Sequence, residues 1–129
     1  MLSDGCDVAI IACGLMVPES AKAVRMLESE GIRALLVDMH AVKPLDAEAV
    51  IEAARAAGAV VTVEDNNILG GLGSAVAEVL AESCPVRVRR IGIRDVFGES
   101  GDPDALLEKY GMSAKHIAAA ARELAEAKR

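Results

Sequence analysis

Aromatic side chains are almost missing from this sequence, which has one Phe, one Tyr and no Trp among 129 residues. Hydrophobic residues still make up 53% of the chain, and most of them are Ala, Val, Ile and Leu. Small aliphatic side chains suit the close packing of helices against a sheet. A chain of this length corresponds to one domain with a hydrophobic core of its own.

Long hydrophobic runs are also missing. The apolar runs fall well short of the roughly 20 residues that span a bilayer. Residues 1–5 have neither the basic start nor the apolar centre of a signal peptide. We therefore predict a cytoplasmic protein that does not insert into a membrane.

Cysteine is scarce, and its spacing does not fit a zinc site. Cys6, Cys13 and Cys84 are an odd number and lie far apart, without the paired short spacing of zinc ligands. We expect them to be small buried side chains that stay reduced. The carboxylates between positions 95 and 104 lack the spacing of a calcium loop, so we predict no metal site in this chain.

Positive charge is in the minority, since 14 Lys and Arg residues stand against 20 Asp and Glu, for a net charge of -6. Such a chain repels a phosphate backbone, which disfavours nucleic acid as a partner. The basic residues are scattered except for Arg87, Arg89 and Arg90, which alternate with apolar positions. This pattern is typical of a partly solvated strand at a sheet edge.

Strand-like apolar runs alternate with helical repeats along the chain. The predicted strands are 7–13, 33–39, 59–63 and 86–91, and the predicted helices are 18–30, 47–57 and 71–83, followed by a short helix from Asp102 and a last helix capped by Ser113. Strands that alternate with helices require parallel pairing through right-handed crossovers. We predict one domain over 1–129, an α/β fold built as a three-layer α/β/α sandwich around a mostly parallel sheet of four to five strands.

Helix ends are marked clearly in the first half of the chain. Asp46 is placed to cap the second helix at its N-terminus. Gly31 and Gly58 follow the first and second helices and are placed to end them in a left-handed conformation.

The segment 63–76 carries the most specific pattern of the chain. A strand ends in the acidic and amide-rich run 64–67, and the glycine cluster 70–73 then opens a helix. This segment resembles the signature of transketolase C-terminal domains. Four further segments resemble that family in the same order, namely 7–17, 31–34, 43–46 and 97–101. Together the five segments make a specific resemblance that extends over nearly the whole chain.

The resemblance implies the C-terminal domain of a transketolase-type enzyme, with 1-deoxyxylulose-phosphate synthases and 2-oxoacid dehydrogenase beta subunits as relatives. In that family thiamine diphosphate and magnesium belong to other domains, so it implies no cofactor and no catalytic residue here. The implied partners are the cofactor-binding and pyrimidine-binding domains or subunits of a dimeric enzyme. It also implies an antiparallel edge strand beside 33–39, for which only residues 2–4 remain. We expect either that this strand is truncated because the chain was cut from a larger protein, or that a partner supplies it.

Two departures from the family pattern fall at charged or polar positions. Asn66 stands where many members have His, so no role of that imidazole is carried over. Lys115 and His116 place cationic groups near the positive end of the last helix, at an expected cost of a few tenths of a kcal/mol.

Candidate functional residues lie where the predicted parallel strands end, because ligands and partners meet that edge of an α/β sheet. The interface candidates are Glu64, Asp65, Asn66, His40 and Lys43. The structural-turn candidates are Gly70, Gly71 and Gly73. We expect Gly70 to allow a positive φ, and the other two glycines to let the third helix approach the sheet. For Glu64 three roles stay open: an interface carboxylate that fixes a loop or caps a helix, a solvated turn residue, or a catalytic acid.

A phosphate-binding turn is the chemical alternative at the glycine cluster. Val76 replaces the third glycine of a dinucleotide fingerprint, and Glu64 and Asp65 would repel a phosphate. No basic residue lies within ten positions of the cluster. His40 has no nucleophile pattern beside it, so it is a poor candidate for a general base. The alternative function is a free-standing small-molecule or nucleotide-binding regulatory module.

Overall fold

The computed structural model describes residues 6–13, 16–39, 46–67, 71–93 and 113–127, and within these ranges all side chains except 65–67 and 93. The strands are β1 (Val8–Ala12), β2 (Ala34–Asp38), β3 (Ala59–Asn67) and β4 (Arg87–Ile93). The helices are α1 (Met16–Glu28), α2 (Ala47–Ala57), α3 (Leu72–Ser83) and α4 (Ala114–Ala127).

The described strands form one parallel sheet in the order β2-β1-β3-β4. β1 lies in its interior, where Ile10 pairs with Leu36 on one side and Val61 on the other. All five residues of β1 are buried, which explains why this strand is a continuous apolar run and not an alternating one.

Side chains that alternate along β1 point into two separate cores. Val8, Ile10 and Ala12 pack with residues of α1 and α4 on one face of the sheet. Ala9 and Ile11 pack with residues of α2 and α3 on the other face. The predicted three-layer α/β/α sandwich with a parallel sheet is therefore confirmed.

The predicted helix ends are confirmed in α1 and α2. Asp46 accepts a hydrogen bond from the Ala49 N–H through Oδ1 at 3.1 Å. Gly58 has a φ of 76° and donates its N–H to the Ala54 carbonyl at 2.7 Å. Gly31, with a φ of 78°, follows α1.

Several element boundaries differ from the predictions. α1 begins at Met16 and not at Pro18, so the proline is the third helical residue, where a missing N–H costs no helical hydrogen bond. β3 continues to Asn67 and not to Val63, because Asn67 pairs with Ile93 after a shift in register. The short helix predicted from Asp102 and the strand candidate at 2–4 lie outside the described residues.

The cysteines are thiols, as predicted, but each is only partly buried. All three pack at the margin of the core formed with α2 and α3, and not inside it. In the described ranges, no helix has both the length and the hydrophobicity that a bilayer crossing needs.

Candidate functional site

The candidate residues are described to different extents. The structure shows the contacts of three candidates at the junction of β3 and α3, namely Glu64, Gly71 and Gly73. Asp65 and Asn66 belong to the last part of β3, although their side chains are not described. His40, Lys43 and Gly70 lie outside the described residues, so their predicted roles stay predictions.

Glu64 is buried and caps α3. Its side chain lies at 1% exposure and points toward the α3 layer. Oε2 accepts the Leu72 N–H at 2.7 Å, and Oε1 accepts the Gly73 N–H at 3.2 Å. Both N–H groups belong to the first turn of a helix, where the backbone offers them no acceptor. The carboxylate lies at the N-terminal end of α3, where the helix dipole is positive.

Gly71 leaves the space that this carboxylate occupies. It is the N-cap residue of α3 and has an extended backbone with a φ of -96°, so no left-handed conformation requires a glycine here. A Cβ at this position would overlap the Glu64 carboxylate, with the carboxyl carbon 2.9 Å away. Since glycine has no side chain to cap the helix, Glu64 supplies the acceptor from within the preceding strand, three residues before β3 ends.

Gly73 allows close contact between α3 and the sheet. A Cβ on Gly73 would lie 2.7 Å from Cδ of Arg90 and 3.0 Å from Oγ1 of Thr62. Thr62 and Arg90 are paired neighbours on β3 and β4. The first turn of α3 therefore rests directly on the side chains of two adjacent strands.

Arg90 is a site residue that reasoning from the sequence missed. Its Nη1 donates to Oγ of Ser74 at 3.4 Å, so a guanidinium lies at the first turn of α3. No basic residue is close to the glycine cluster in the sequence, but Arg90 lies close to it in the structure. Only the register that sets Arg90 opposite Thr62 brings this cation to the helix, and no local sequence signal encodes that register.

The contacts at the α3 N-terminus are internal to the domain and hold the first turn of α3 against β3 and β4. Two first-turn amides already bind a buried carboxylate, so a phosphate would have to displace Glu64 to reach them. The Arg90 guanidinium is exposed, but its contact is with Ser74 and does not complete a second anion cradle. The geometry therefore argues against a phosphate-binding turn here.

A separate, open cavity of about 330 Å³ lies on α2, lined by Glu48, Ile51, Glu52 and Arg55. None of the strand-end candidates is among its described lining residues. These four residues do not bring a nucleophile and a base together, so they indicate no separate catalytic site.

Comparison with known proteins identifies the family. The family model described as transketolase, C-terminal domain, matches residues 1–117. A 6-deoxy-6-sulfo-D-fructose transketolase subunit of Clostridium sp. strain MSTE9 is 51% identical over 128 residues, covering 99% of this chain and 40% of that protein. The 1-deoxy-D-xylulose-5-phosphate synthase of Heliobacterium modesticaldum is 47% identical over 130 residues, covering 100% of this chain and 20% of that protein.

A solved structure described as a split gene transketolase, inactive beta4 tetramer, has a TM-score of 0.89 and 52% identity. It is matched over 97% of this chain and 41% of its own length. The chain thus spans between 20% and 41% of the length of these relatives. Sequence, element order and fold agree, and the chain belongs to the transketolase C-terminal domain family.

Proposed function

We propose that this chain serves as the C-terminal section of a transketolase-type, thiamine diphosphate-dependent enzyme, and that it is inactive alone. The observation that carries the proposal is the coverage, since the chain accounts for 40% of one relative and 20% of another. On this proposal, the cofactor-binding and pyrimidine-binding regions lie in the remaining length, as the family resemblance implies. Ketol transfer would then be a property of the assembly.

The residues that the structure describes do not fit a magnesium diphosphate. The described ranges contain no group of three or more His, Cys, Asp or Glu side chains that could hold a metal ion. Glu64, a buried carboxylate in β3, is already bound to two amides. We therefore assign no step of the cofactor chemistry to these residues, and place thiamine diphosphate and magnesium in the full enzyme.

The carboxyl edge of the sheet is the proposed contact with the other domains. Asp65 and Asn66 continue β3 directly beyond the buried cap, and His40 and Lys43 follow β2 in the sequence. Ligands and partners of open α/β sheets meet this edge. Glu64 would contribute from inside, by holding α3 against the end of β3.

The outer side of β2 is the proposed site of the missing edge strand. β2 lies at one end of the described sheet, and Ala34, Leu36 and Val37 along it are only half-buried. An apolar strand with an open edge is a template for pairing. We propose that chain 1–129 is a single domain whose antiparallel edge strand is truncated and completed by the rest of the enzyme, within a dimeric assembly. The thiols fit a reducing compartment, which supports a cytoplasmic location.

Calorimetric titration of the purified chain with thiamine diphosphate and MgCl₂ tests the division of labour. We expect no binding in the micromolar range and no ketol transfer. Adding a polypeptide with the cofactor-binding and pyrimidine-binding domains should restore both, whereas that polypeptide alone should show less than a tenth of the activity. Micromolar cofactor binding by the chain alone, or turnover without the second polypeptide, would contradict the proposal.

A further inference from the structure

The two edges of the described sheet differ in character. β2 exposes a mostly apolar strand, Ala34–Asp38, with one acidic residue at its end. β4, at the opposite end of the sheet, carries three exposed arginines within four positions, Arg87, Arg89 and Arg90, which we call the arginine edge. This is a local excess of positive charge in a chain of net charge -6.

The arginines of this edge lie on both faces of the sheet. Arg89 points to the α4 side, where Nη2 lies 2.9 Å from Oε2 of Glu123. Arg90 points to the α3 side, where its stem lies beside Gly73 and Nη1 reaches Ser74. Because side chains alternate along a strand, Arg87 lies on the same side as Arg89. Among the described residues β4 is the last strand of the sheet, and charged groups therefore flank its outer backbone edge on both faces.

An incoming copy of the same strand would meet like charges. When two β4 edges pair in antiparallel fashion, each arginine edge lies beside the other, and cross-strand like charges are destabilising. Each guanidinium would also have to lose water. Charged side chains on an edge strand are a known protection against edge-to-edge association.

We propose that the arginine edge prevents β4 from pairing with the β4 strand of a second copy of this chain. The two sheet edges then have opposite roles: the apolar β2 edge accepts a strand, and the charged β4 edge remains in solvent. The inference does not depend on the catalytic assignment, because it concerns the chain by itself.

The test compares two triple variants that lose the same amount of positive charge. One carries Arg87→Gln, Arg89→Gln and Arg90→Gln. The control carries Arg25→Gln, Arg55→Gln and Lys115→Gln, which replaces exposed cations on α1, α2 and α4. Both become more acidic, and added like charge opposes association in general, so an increase in mass cannot come from net charge.

Sedimentation velocity over a hundredfold concentration range compares the mass of each variant with that of the wild type. The variant with all three edge arginines replaced should have at least twice the wild-type mass. Amide hydrogen exchange at β4 should slow at least tenfold as that species forms. The control should match the wild type. Unchanged mass and unchanged β4 exchange in the edge variant would overturn the proposal, as would equal association of the control.

A second variant guards against loss of the fold. Arg87→Gln with Arg89→Gln leaves the Arg90–Ser74 contact intact and should show the same association at higher concentration. A folded double variant that stays at the wild-type mass, with wild-type exchange at β4, would likewise overturn the proposal.

Discussion

At the scale of single residues, the junction of β3 and α3 depends on one buried acid. Glu64 takes over the capping role that Gly71 lacks a side chain to perform. A long side chain is needed, because the carboxylate belongs to a residue inside β3 and must reach the first turn of α3. A capping side chain at position 71, such as Asp or Ser, would have to occupy the space of the Glu64 carboxylate.

Replacing Glu64 by Ala should lower the free energy of unfolding by about 2–3 kcal/mol, because two buried N–H groups lose their acceptor. Glu64→Gln should cost less, since the amide retains one acceptor oxygen. Asp46→Ala removes the exposed cap of α2 and should cost about 1 kcal/mol. Urea unfolding followed by circular dichroism measures all three. A loss for Glu64→Ala no larger than that for Asp46→Ala would show that burial of the cap adds nothing.

Thr62 contributes an unpaired hydroxyl at the same junction. Its Oγ1 is buried and has no hydrogen-bond partner within the described part of the chain, although it lies under Gly73. Thr62→Val should therefore stabilise the fold by about 1 kcal/mol, since it removes a desolvated polar atom at nearly constant volume.

The matched control is a Val-to-Thr substitution two residues earlier in β3. Val60 is fully buried on the same face of β3, so Val60→Thr should destabilise by about 1–2 kcal/mol. Thermal unfolding of both variants decides the point. A lower midpoint for Thr62→Val would mean that the hydroxyl has a partner that matters.

At the scale of elements, two side-chain contacts hold α4 against α1 and against the turn that follows α1. Glu19 accepts the Ala114 N–H through Oε2 at 2.9 Å and thus supplies an acid to a first turn that has none of its own. Further along, Arg122 Nη2 lies 2.7 Å from Oε2 of Glu30. The first contact offsets the expected penalty of Lys115 at this helix end, because an anion from another element lies at the same dipole.

The ion pair between Arg122 and Glu30 should make a pH-dependent contribution to stability. The hydrogen bond from Arg122 lowers the pKa of Glu30 below its ordinary 4.5, with a smaller contribution from their charges. A lowered folded-state pKa adds stability above the unfolded pKa, and this is lost as pH falls through the folded pKa. The effect should be small, since the pair is exposed to solvent.

Thermal midpoints of wild type and Glu30→Gln should therefore differ at pH 7 and converge as the pH falls below about 4.5. Glu28→Gln controls for the loss of one negative charge at the same end of α1. A wild-type advantage over Glu30→Gln that stays constant from pH 7 to pH 3 would contradict an ionic fastening.

At the scale of the whole molecule, the two outer strands of the described sheet have different proposed roles: β2 accepts a further strand and β4 does not. Amides of β2 that point away from β1 should exchange faster in the isolated chain than those of the buried β1. Assembly with the remaining domains should slow the exchange of β2 at least tenfold. β1 and β4 should change little.

Hydrogen exchange with mass spectrometry, in the presence and absence of the cofactor-binding polypeptide, measures these three strands at once. The ratio of β2 to β4 protection serves as the internal control. Protection gained at β4 and not at β2 would reverse the proposed orientation of the domain in the enzyme.

Much of this fold was predictable because its signals are local. The apolar run of β1, the left-handed glycines after α1 and α2, and the Asp46 cap each depend on a few neighbouring residues. The length of β3 was not predictable, since its last residues pair with β4 across a register shift. The polar residues 64–67 indicated a turn, yet they belong to β3, which continues as far as the pairing of Asn67 with β4.

The amino-acid sequence by itself determined the order of strands and helices, the apolar face of each helix, and the family. These follow from periodicity and from motifs read within short windows. Only the tertiary structure decided that Glu64 is buried, that Arg90 reaches α3, and that Glu19 serves a helix 95 positions away. The physical reason is that strand register and crossover geometry, which no local pattern encodes, set which distant side chains come within hydrogen-bonding range.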